Sequence, residues 1–376
     1  MELLKNDIEK LKYLAEHASS KSKKREYVIV LETLLALKDE IENTKTEYSP
    51  SNISQYFIDK SHLNNQKQLV NKYSQKEYKD FINMICKNCQ SNTKLYYEEL
   101  YCKNYIKFKD VKDIILDFFN TFDNKLYPLV KEMLTNDHLL IVNDHLTSGE
   151  GYSILNPFSN NCYIFTVIDN KFKLDNISCL VHELGHIISF QNFKSNPNAY
   201  KQSISNSFIE VPAFSFEFLF LDFLLKNNLY TKEVEKVINN NLYTLNNYIS
   251  FLKVINKVID QLDILRYYET EEIQDILNSV GIVKSDDFVD LCFSDLTSNH
   301  IYTLGNLISL NYLSKYRLDE EKTKRNIMSF ISNIGIYDDF DTMNKFGLNL
   351  EELKRCEYVK QEVNRNQKQL RKNTQI

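Results

Sequence analysis

The feature that most constrains this chain is the segment 182–186, His-Glu-Leu-Gly-His, which continues the apolar run Ile177–Val181. Residues four apart lie on one face of an α-helix, so the imidazoles of His182 and His186 can reach the same metal ion. Glu183 lies one step further round the helix, where its carboxylate can act as general base toward a water molecule. A catalytic zinc site takes three protein ligands, so a third ligand is expected elsewhere. The alternative is two surface histidines on an ordinary helix.

The third ligand is expected from a second helix, because no histidine follows His186 within the next dozen residues. Glu210 is the first acidic residue after Glu183, and its neighbours are largely apolar. A carboxylate in such a run needs a partner, since burying it unpaired is expensive, and a metal ion would be that partner. Glu217 follows seven residues later on the same face, where it can orient a ligand histidine. Alternatively, both glutamates form the solvent-facing edge of an amphipathic helix.

Together the two segments resemble the thimet oligopeptidase and oligoendopeptidase F family of zinc peptidases. That family has H-E-x-G-H and then a ligand glutamate within E-x-P-S-x-x-x-E. Here Glu210 begins the second segment 24 residues after His186, and Ala213 stands where serine is usual. The run 163–168 resembles the edge strand that leads into the zinc helix of the family. The resemblance covers roughly residues 110–320.

This resemblance implies a mainly α, helical zincin-type peptidase fold, with one small β-sheet beside the zinc-binding helix and a deep substrate groove. It also implies one Zn²⁺ per chain, held by His182, His186 and Glu210. The composition agrees with a mostly helical chain, because only 7 of 376 residues are glycine and 5 are proline. We expect an N-terminal helical region over 1–105 and a catalytic region over 106–376, or one continuous domain.

The small sheet is predicted between residues 138 and 168, where the sequence changes to short β-branched and aromatic runs at 139–142 and 163–168. The segments 148–152 and 157–161 between these runs have the residues of turns. Glycines at 149 and 151 predict unusual backbone angles in the first turn. In zinc peptidases of this type, an edge strand beside the zinc helix pairs with the extended substrate.

A second catalytic segment is expected at Cys292–Gly305, which resembles the part of the family that supplies a histidine and tyrosines to the oxyanion. Tyr302 is in register with one of those tyrosines. Cys292 stands at the family's histidine position, and Thr297 replaces another tyrosine. His300 occupies a tyrosine position and is a second candidate donor. The alternative is that His300 and Tyr302 are ordinary, partly exposed helix residues.

Charge and cysteine content bear on partners and location. The net charge of −5 gives no reason to expect nucleic acid, and no apolar run suggests a signal peptide or a membrane span. The seven scattered cysteines suit a reducing cytoplasm, and the pair Cys86 and Cys89 is expected to be two reduced thiols.

Two functions from different classes fit these features. The first is a zinc-dependent endopeptidase that hydrolyses short or unfolded peptides, with Glu183 as general base and Tyr302 or His300 stabilising the oxyanion. The second is a zinc-bearing, weakly active or inactive peptide-binding protein. Glu183 favours the enzyme, since binding a peptide needs no general base, whereas the altered segment 292–302 favours the binder. A carboxypeptidase would need a cationic anchor for the substrate carboxylate, and the sequence nominates none. No oligomeric state is predicted.

Overall fold

The computed structural model describes residues 1–42, 72, 75–89, 106–143, 151–168, 171–193, 208–258, 270–279, 281, 296–334, 336 and 339–374. Contacts divide the chain into two compact units: residues 1–60 with 102–201, and residues 61–101 with 202–376. The boundary expected near residue 105 stays a prediction. Among the described helices, none combines the length and the apolar composition needed to cross a bilayer.

The described chain is mainly helical with one small sheet, as predicted. In chain order its helices are α1 (Glu2–Glu16), α2 (Lys21–Glu42), α3 (Lys76–Asn88), α4 (Phe108–Phe122), α5 (Tyr127–Met133), α6 (Leu174–Phe190), α7 (Glu210–Lys226), α8 (Thr231–Val258), α9 (Thr270–Ser279), α10 (Leu296–Tyr316), α11 (Glu320–Ser332), α12 (Asp339–Lys345), α13 (Leu350–Arg355) and α14 (Glu357–Thr374). The strands are β1 (Leu139–Asn143), β2 (Gly151–Leu155) and β3 (Cys162–Ile168).

The sheet of the first unit has the order β1-β3-β2, with β1 parallel and β2 antiparallel to β3. The prediction that residues 163–168 form the edge strand is therefore wrong, because β3 is the middle strand. All seven residues of β3 are buried, whereas four of the five residues of β2 are partly exposed. A strand that is paired on both sides and covered on both faces has a nearly continuous apolar sequence. Such a sequence does not show the order of the strands in the sheet.

The turn from β2 to β3 is held by a buried carboxylate from the N-terminal helix. Asp7 of α1 is 4% exposed. It accepts hydrogen bonds from Asn156 at 2.9 Å, Ser159 at 2.7 Å, Asn161 at 3.1 Å and Tyr163 at 2.8 Å. Burial and the Asp7 carboxylate both raise the pKa of the Tyr163 phenol, which therefore stays a donor. This network satisfies the carboxylate with neutral donors and ties α1 to the β2–β3 turn.

Helix α6 lies against the sheet, with contacts to both β2 and β3. Its start is capped by Asn176, whose side-chain oxygen accepts a hydrogen bond from the Lys173 N–H at 2.9 Å. Gly151 lets β2 approach this helix, because a Cβ there would lie 2.9 Å from Cys179 Sγ and 3.1 Å from the Phe165 carbonyl oxygen.

The predicted turn at 148–152 is therefore partly wrong, since Gly151 and Tyr152 belong to β2. Gly151 is absent from the glycines with positive φ, so close packing explains it rather than an unusual backbone angle. The glycine at 149 lies outside the described residues.

In the second unit, a disulfide joins Cys89, after α3, to Cys356, which separates α13 from α14. Their Cα atoms are 5.1 Å apart, and the Asn88 amide donates a hydrogen bond to the Lys354 carbonyl at 2.8 Å beside them. The expectation that Cys89 is a reduced thiol is wrong, because Cys89 forms this disulfide. The sequence did not indicate the pair, since the two cysteines are 267 positions apart. Cys86 is free and buried, and burial raises the pKa of its thiol to about 12. The cytoplasmic location stays a prediction.

Candidate metal centre

The two motif histidines share one face of α6, as their spacing predicts. Their ring centroids are 5.2 Å apart and the rings are nearly perpendicular. His182 is partly exposed, and His186 is buried with its ring stacked on Phe190. The partly exposed His182 shows that this end of the pair is open to solvent. The alternative of two ordinary surface histidines does not fit, because His186 is only 9% exposed.

Glu183 is buried beside the sheet, and the structure gives it a partner that the sequence did not indicate. It is 4% exposed, and the Ser153 hydroxyl of β2 donates a hydrogen bond of 2.7 Å to its Oε2. A charged acceptor makes such a bond stronger than one between neutral groups. Nothing in the sequence around Ser153 marks it as functional, because the contact spans 30 positions and depends on the packing of β2 against α6.

Glu210 is the first residue of α7 and is 8% exposed. The helix α10 approaches it closely at Gly305, where an added Cβ would lie 2.6 Å from Glu210 Cβ and 3.0 Å from the Phe214 ring. Glu210 is therefore held by a backbone contact that only glycine permits. The alternative in which Glu210 and Glu217 form a wet helix edge is excluded, since both are buried.

Gly305→Ala is expected to destabilise the protein by about 1–3 kcal/mol, because its methyl group would overpack the contact between α10 and Glu210. The same change at an unhindered helix position would stabilise the protein by about 0.5–1 kcal/mol. The sign of the change in unfolding free energy therefore decides whether the contact is close. Urea denaturation of the metal-free protein measures it. A stabilised Gly305→Ala variant would show that α10 can move away from Glu210 at no cost.

The three predicted ligands lie close together. His182, His186 and Glu210 each offer one ligand atom, and these atoms all lie within 4.8 Å of one another. Two imidazole nitrogens and one carboxylate oxygen form a donor set that zinc accepts in catalytic sites. The residues therefore fit the metal that the sequence motif implies.

Glu217 is buried at 7% exposure, and its Oε1 accepts a hydrogen bond of 2.8 Å from the Asn241 amide of α8. This contact fixes the carboxylate within its unit. The role of Glu217 in orienting a ligand histidine stays a prediction.

Tyr302 of α10 lies one helical turn before Gly305 and packs against the helix that bears Glu210. Its ring meets the Phe214 ring edge-on at 5.9 Å and stacks on Tyr248 of α8 at 5.6 Å. Phe214 is one turn from Glu210 on α7, so the phenol lies on the same side of the unit as that carboxylate. Tyr302 is partly exposed.

His300 faces another part of the unit. It is 1% exposed, and its Nε2 shares a hydrogen bond of 2.7 Å with the Tyr78 hydroxyl of α3. Burial, with a smaller contribution from the Lys72 charge, lowers the pKa of His300 to about 3, so the ring is neutral at neutral pH. The position of His300 does not favour the predicted role as an oxyanion donor. Cys292 lies outside the described residues.

Comparison with known proteins bears on the fold. No family model and no curated protein matches the sequence. A proposed peptidase from Chlamydophila abortus matches at 15% identity with a TM-score of 0.51, over 91% of this chain and 61% of that one. A proposed oligoendopeptidase F matches at 12% identity with a TM-score of 0.52, over 96% of this chain and 65% of that one.

The chain thus spans about three fifths of the length of these two structures. At such low identity the likeness concerns the fold alone. The resemblance predicted from the two sequence segments is confirmed at that level: the described chain is mainly helical with one small sheet, and its fold is similar to that of the oligoendopeptidase F structure.

Proposed function

We propose that this chain is a zinc-dependent endopeptidase that hydrolyses short or unfolded peptides. The observation that carries the proposal is the grouping of His182, His186 and Glu210, whose ligand atoms lie within 4.8 Å of one another. Glu183 follows His182 directly on the same helix. A metal ligand set with a neighbouring carboxylate is what hydrolysis by activated water requires.

Zinc, when bound, would polarise the attacking water and the carbonyl of the peptide bond that is cut. His182, His186 and Glu210 would hold it. Glu217 lies on the same helix as Glu210 and would orient a ligand histidine.

The chain's own groups carry the remaining steps. Glu183 takes a proton from the attacking water and later passes it to the amine that leaves. Tyr302 donates a hydrogen bond to the oxyanion that forms on the carbonyl carbon. The strand β2 has β3 as its one described neighbour in the sheet, so its other edge can pair with an extended peptide backbone. The substrate is thus expected to be an unfolded segment, whatever its side chains.

The second candidate is a peptide-binding protein with zinc but little or no activity. The observation that favours it concerns His300, which is buried and shares a hydrogen bond with the Tyr78 hydroxyl. One of the two candidate oxyanion donors is therefore engaged elsewhere in the protein. Loss of one such donor typically costs about 10²–10³-fold in turnover, which could leave a weak enzyme. The buried Glu183 favours the enzyme, because a binder gains nothing from a desolvated carboxylate there.

The proposal is tested on the purified full chain by metal analysis and by cleavage of a quenched-fluorescent peptide mixture. We expect zinc in a one-to-one ratio, loss of cleavage on treatment with a chelator, and recovery when zinc is added back. Zinc bound without any chelator-sensitive cleavage would establish the binder. A chain that takes up no divalent metal would overturn both candidates.

A further inference from the structure

The hydrogen bond between Ser153 and Glu183 joins the edge of the sheet to the carboxylate proposed as general base. Ser153 lies in β2 and is partly exposed, whereas Glu183 is 4% exposed. The hydroxyl donates to Oε2 at 2.7 Å. One oxygen of the carboxylate is therefore fixed by the strand, and in the proposed reaction the other, Oε1, takes the proton from water.

The packing of β2 explains why Ser153 reaches Glu183. Alternate side chains of a strand point to opposite faces, so Gly151 and Ser153 share the face toward α6. An added Cβ at Gly151 would lie 3.5 Å from Glu183 Cγ and 2.9 Å from Cys179 Sγ, so strand and helix are in close contact at this point. Tyr152 points the other way, with its ring stacked on Phe165 at 4.8 Å.

We propose that Ser153 is a positioning residue for Glu183, which holds the carboxylate in the one orientation that presents Oε1 to the attacking water. This inference rests on the proposed function. A glutamate side chain has several rotatable bonds, and a general base acts only when its oxygen lies within hydrogen-bond reach of the proton it takes. Because Ser153 belongs to the strand proposed to bind peptide, the same element places both the substrate and the base.

The expected kinetic effect is specific to turnover. Ser153→Ala should lower kcat for the peptide mixture by about 10–100-fold, as removal of groups that orient ligands and catalytic residues typically does. KM and zinc content should stay within about twofold, because neither the backbone of β2 nor the ligands change. Ser153→Thr keeps the hydroxyl on a β-branched residue that strands favour, and it should restore most of the activity.

A double-mutant cycle separates positioning from a general disturbance of β2. In a Glu183→Gln background there is no base to orient, so Ser153→Ala should cause no further loss of the residual turnover. Equal losses in the wild-type and Glu183→Gln backgrounds would overturn the proposal, since they would mean that the substitution damages the strand rather than the orientation of Glu183.

Crystals of the metal-free wild type and of metal-free Ser153→Ala give a readout that does not depend on activity. We expect one orientation of the Glu183 carboxylate in the wild type and a second, or a rotated one, in Ser153→Ala. An unchanged carboxylate together with an unchanged kcat would refute the role of Ser153. If the wild type shows no zinc-dependent cleavage, the proposed function fails, and the two crystal structures still decide whether Ser153 holds Glu183.

Discussion

Replacing Glu183 with glutamine should lower the turnover of peptide cleavage by about 10²–10⁴-fold, the usual contribution of a general base. Glutamine has nearly the same shape and leaves His182, His186 and Glu210 untouched. It can still accept the hydrogen bond that Ser153 donates at 2.7 Å in the wild type. What is lost is the negative charge that takes the proton from water, so zinc content and peptide affinity should not change.

The measurement is single-turnover cleavage of a quenched-fluorescent peptide, with zinc content and peptide affinity determined on the same preparations. Glu210→Gln is the matched control, because it makes the same chemical change at a proposed metal ligand. It should weaken zinc binding as well as the rate. If the wild type and Glu183→Gln cleave peptide equally slowly while both bind zinc and peptide, the chain is a peptide-binding protein. The hydrogen bond of His300 to Tyr78 would then be the physical reason for the low activity.

The helix that carries the two histidines could be predicted because its information is local. His182 and His186 are four residues apart, and helical geometry alone puts them on one face. Glu210 could be proposed because an isolated carboxylate in an apolar run demands a partner, and its ligand atom does lie within 4.8 Å of those of the histidines.

Features that depend on packing between distant segments could not be predicted in the same way. The order of the strands depends on which strand is covered on both faces, and a run such as 163–168 fits a middle strand as well as an edge. Ser153 meets Glu183 across 30 positions, and Cys89 meets Cys356 across 267. No periodicity or composition encodes such pairs.

His300 illustrates a different limit. Its place in the segment 292–305 suggested that it donates a hydrogen bond to the substrate. A resemblance in sequence shows which residues correspond, but it does not show which face of a helix points toward the substrate. In the structure Tyr302 and Gly305 face α7, where Phe214 and Glu210 lie, and His300 bonds to Tyr78 of α3. Residues two apart on a helix point about 200° apart, so His300 and Tyr302 face different neighbours.

The second large effect concerns a charge cluster in the unit that contains Glu210. Arg317 donates hydrogen bonds to Asp222 of α7 at 2.7 Å and to Glu362 of α14 at 2.5 Å. Asp222 is 2% exposed and Glu362 is 7% exposed. The Arg317 guanidinium loses hydration on burial, but its bonds to these two carboxylates outweigh that loss and raise its pKa, so it stays charged.

Arg317→Met should lower the free energy of unfolding by about 3–5 kcal/mol, because it leaves two buried carboxylates without their shared cation. Lys226 lies 3.2 Å from Asp222 and Arg365 lies 3.6 Å from it, so the remaining cations favour the lower end of that range. Urea denaturation of the metal-free chain measures the change, with an unchanged slope showing that the unfolding transition itself is the same.

Lys354→Met is the control for the loss of an ordinary ion pair, since its partner Glu351 is 71% exposed. It should cost less than about 1 kcal/mol. Each variant loses one cationic side chain that pairs with a carboxylate. The difference between their unfolding free energies therefore measures the effect of burial. Asp222 and Glu210 belong to the same helix, so a loosened α7 should also weaken zinc binding in Arg317→Met and not in Lys354→Met. Equal stability of the two variants would show that the buried carboxylates find other partners, and that Arg317 does not hold α7 in place.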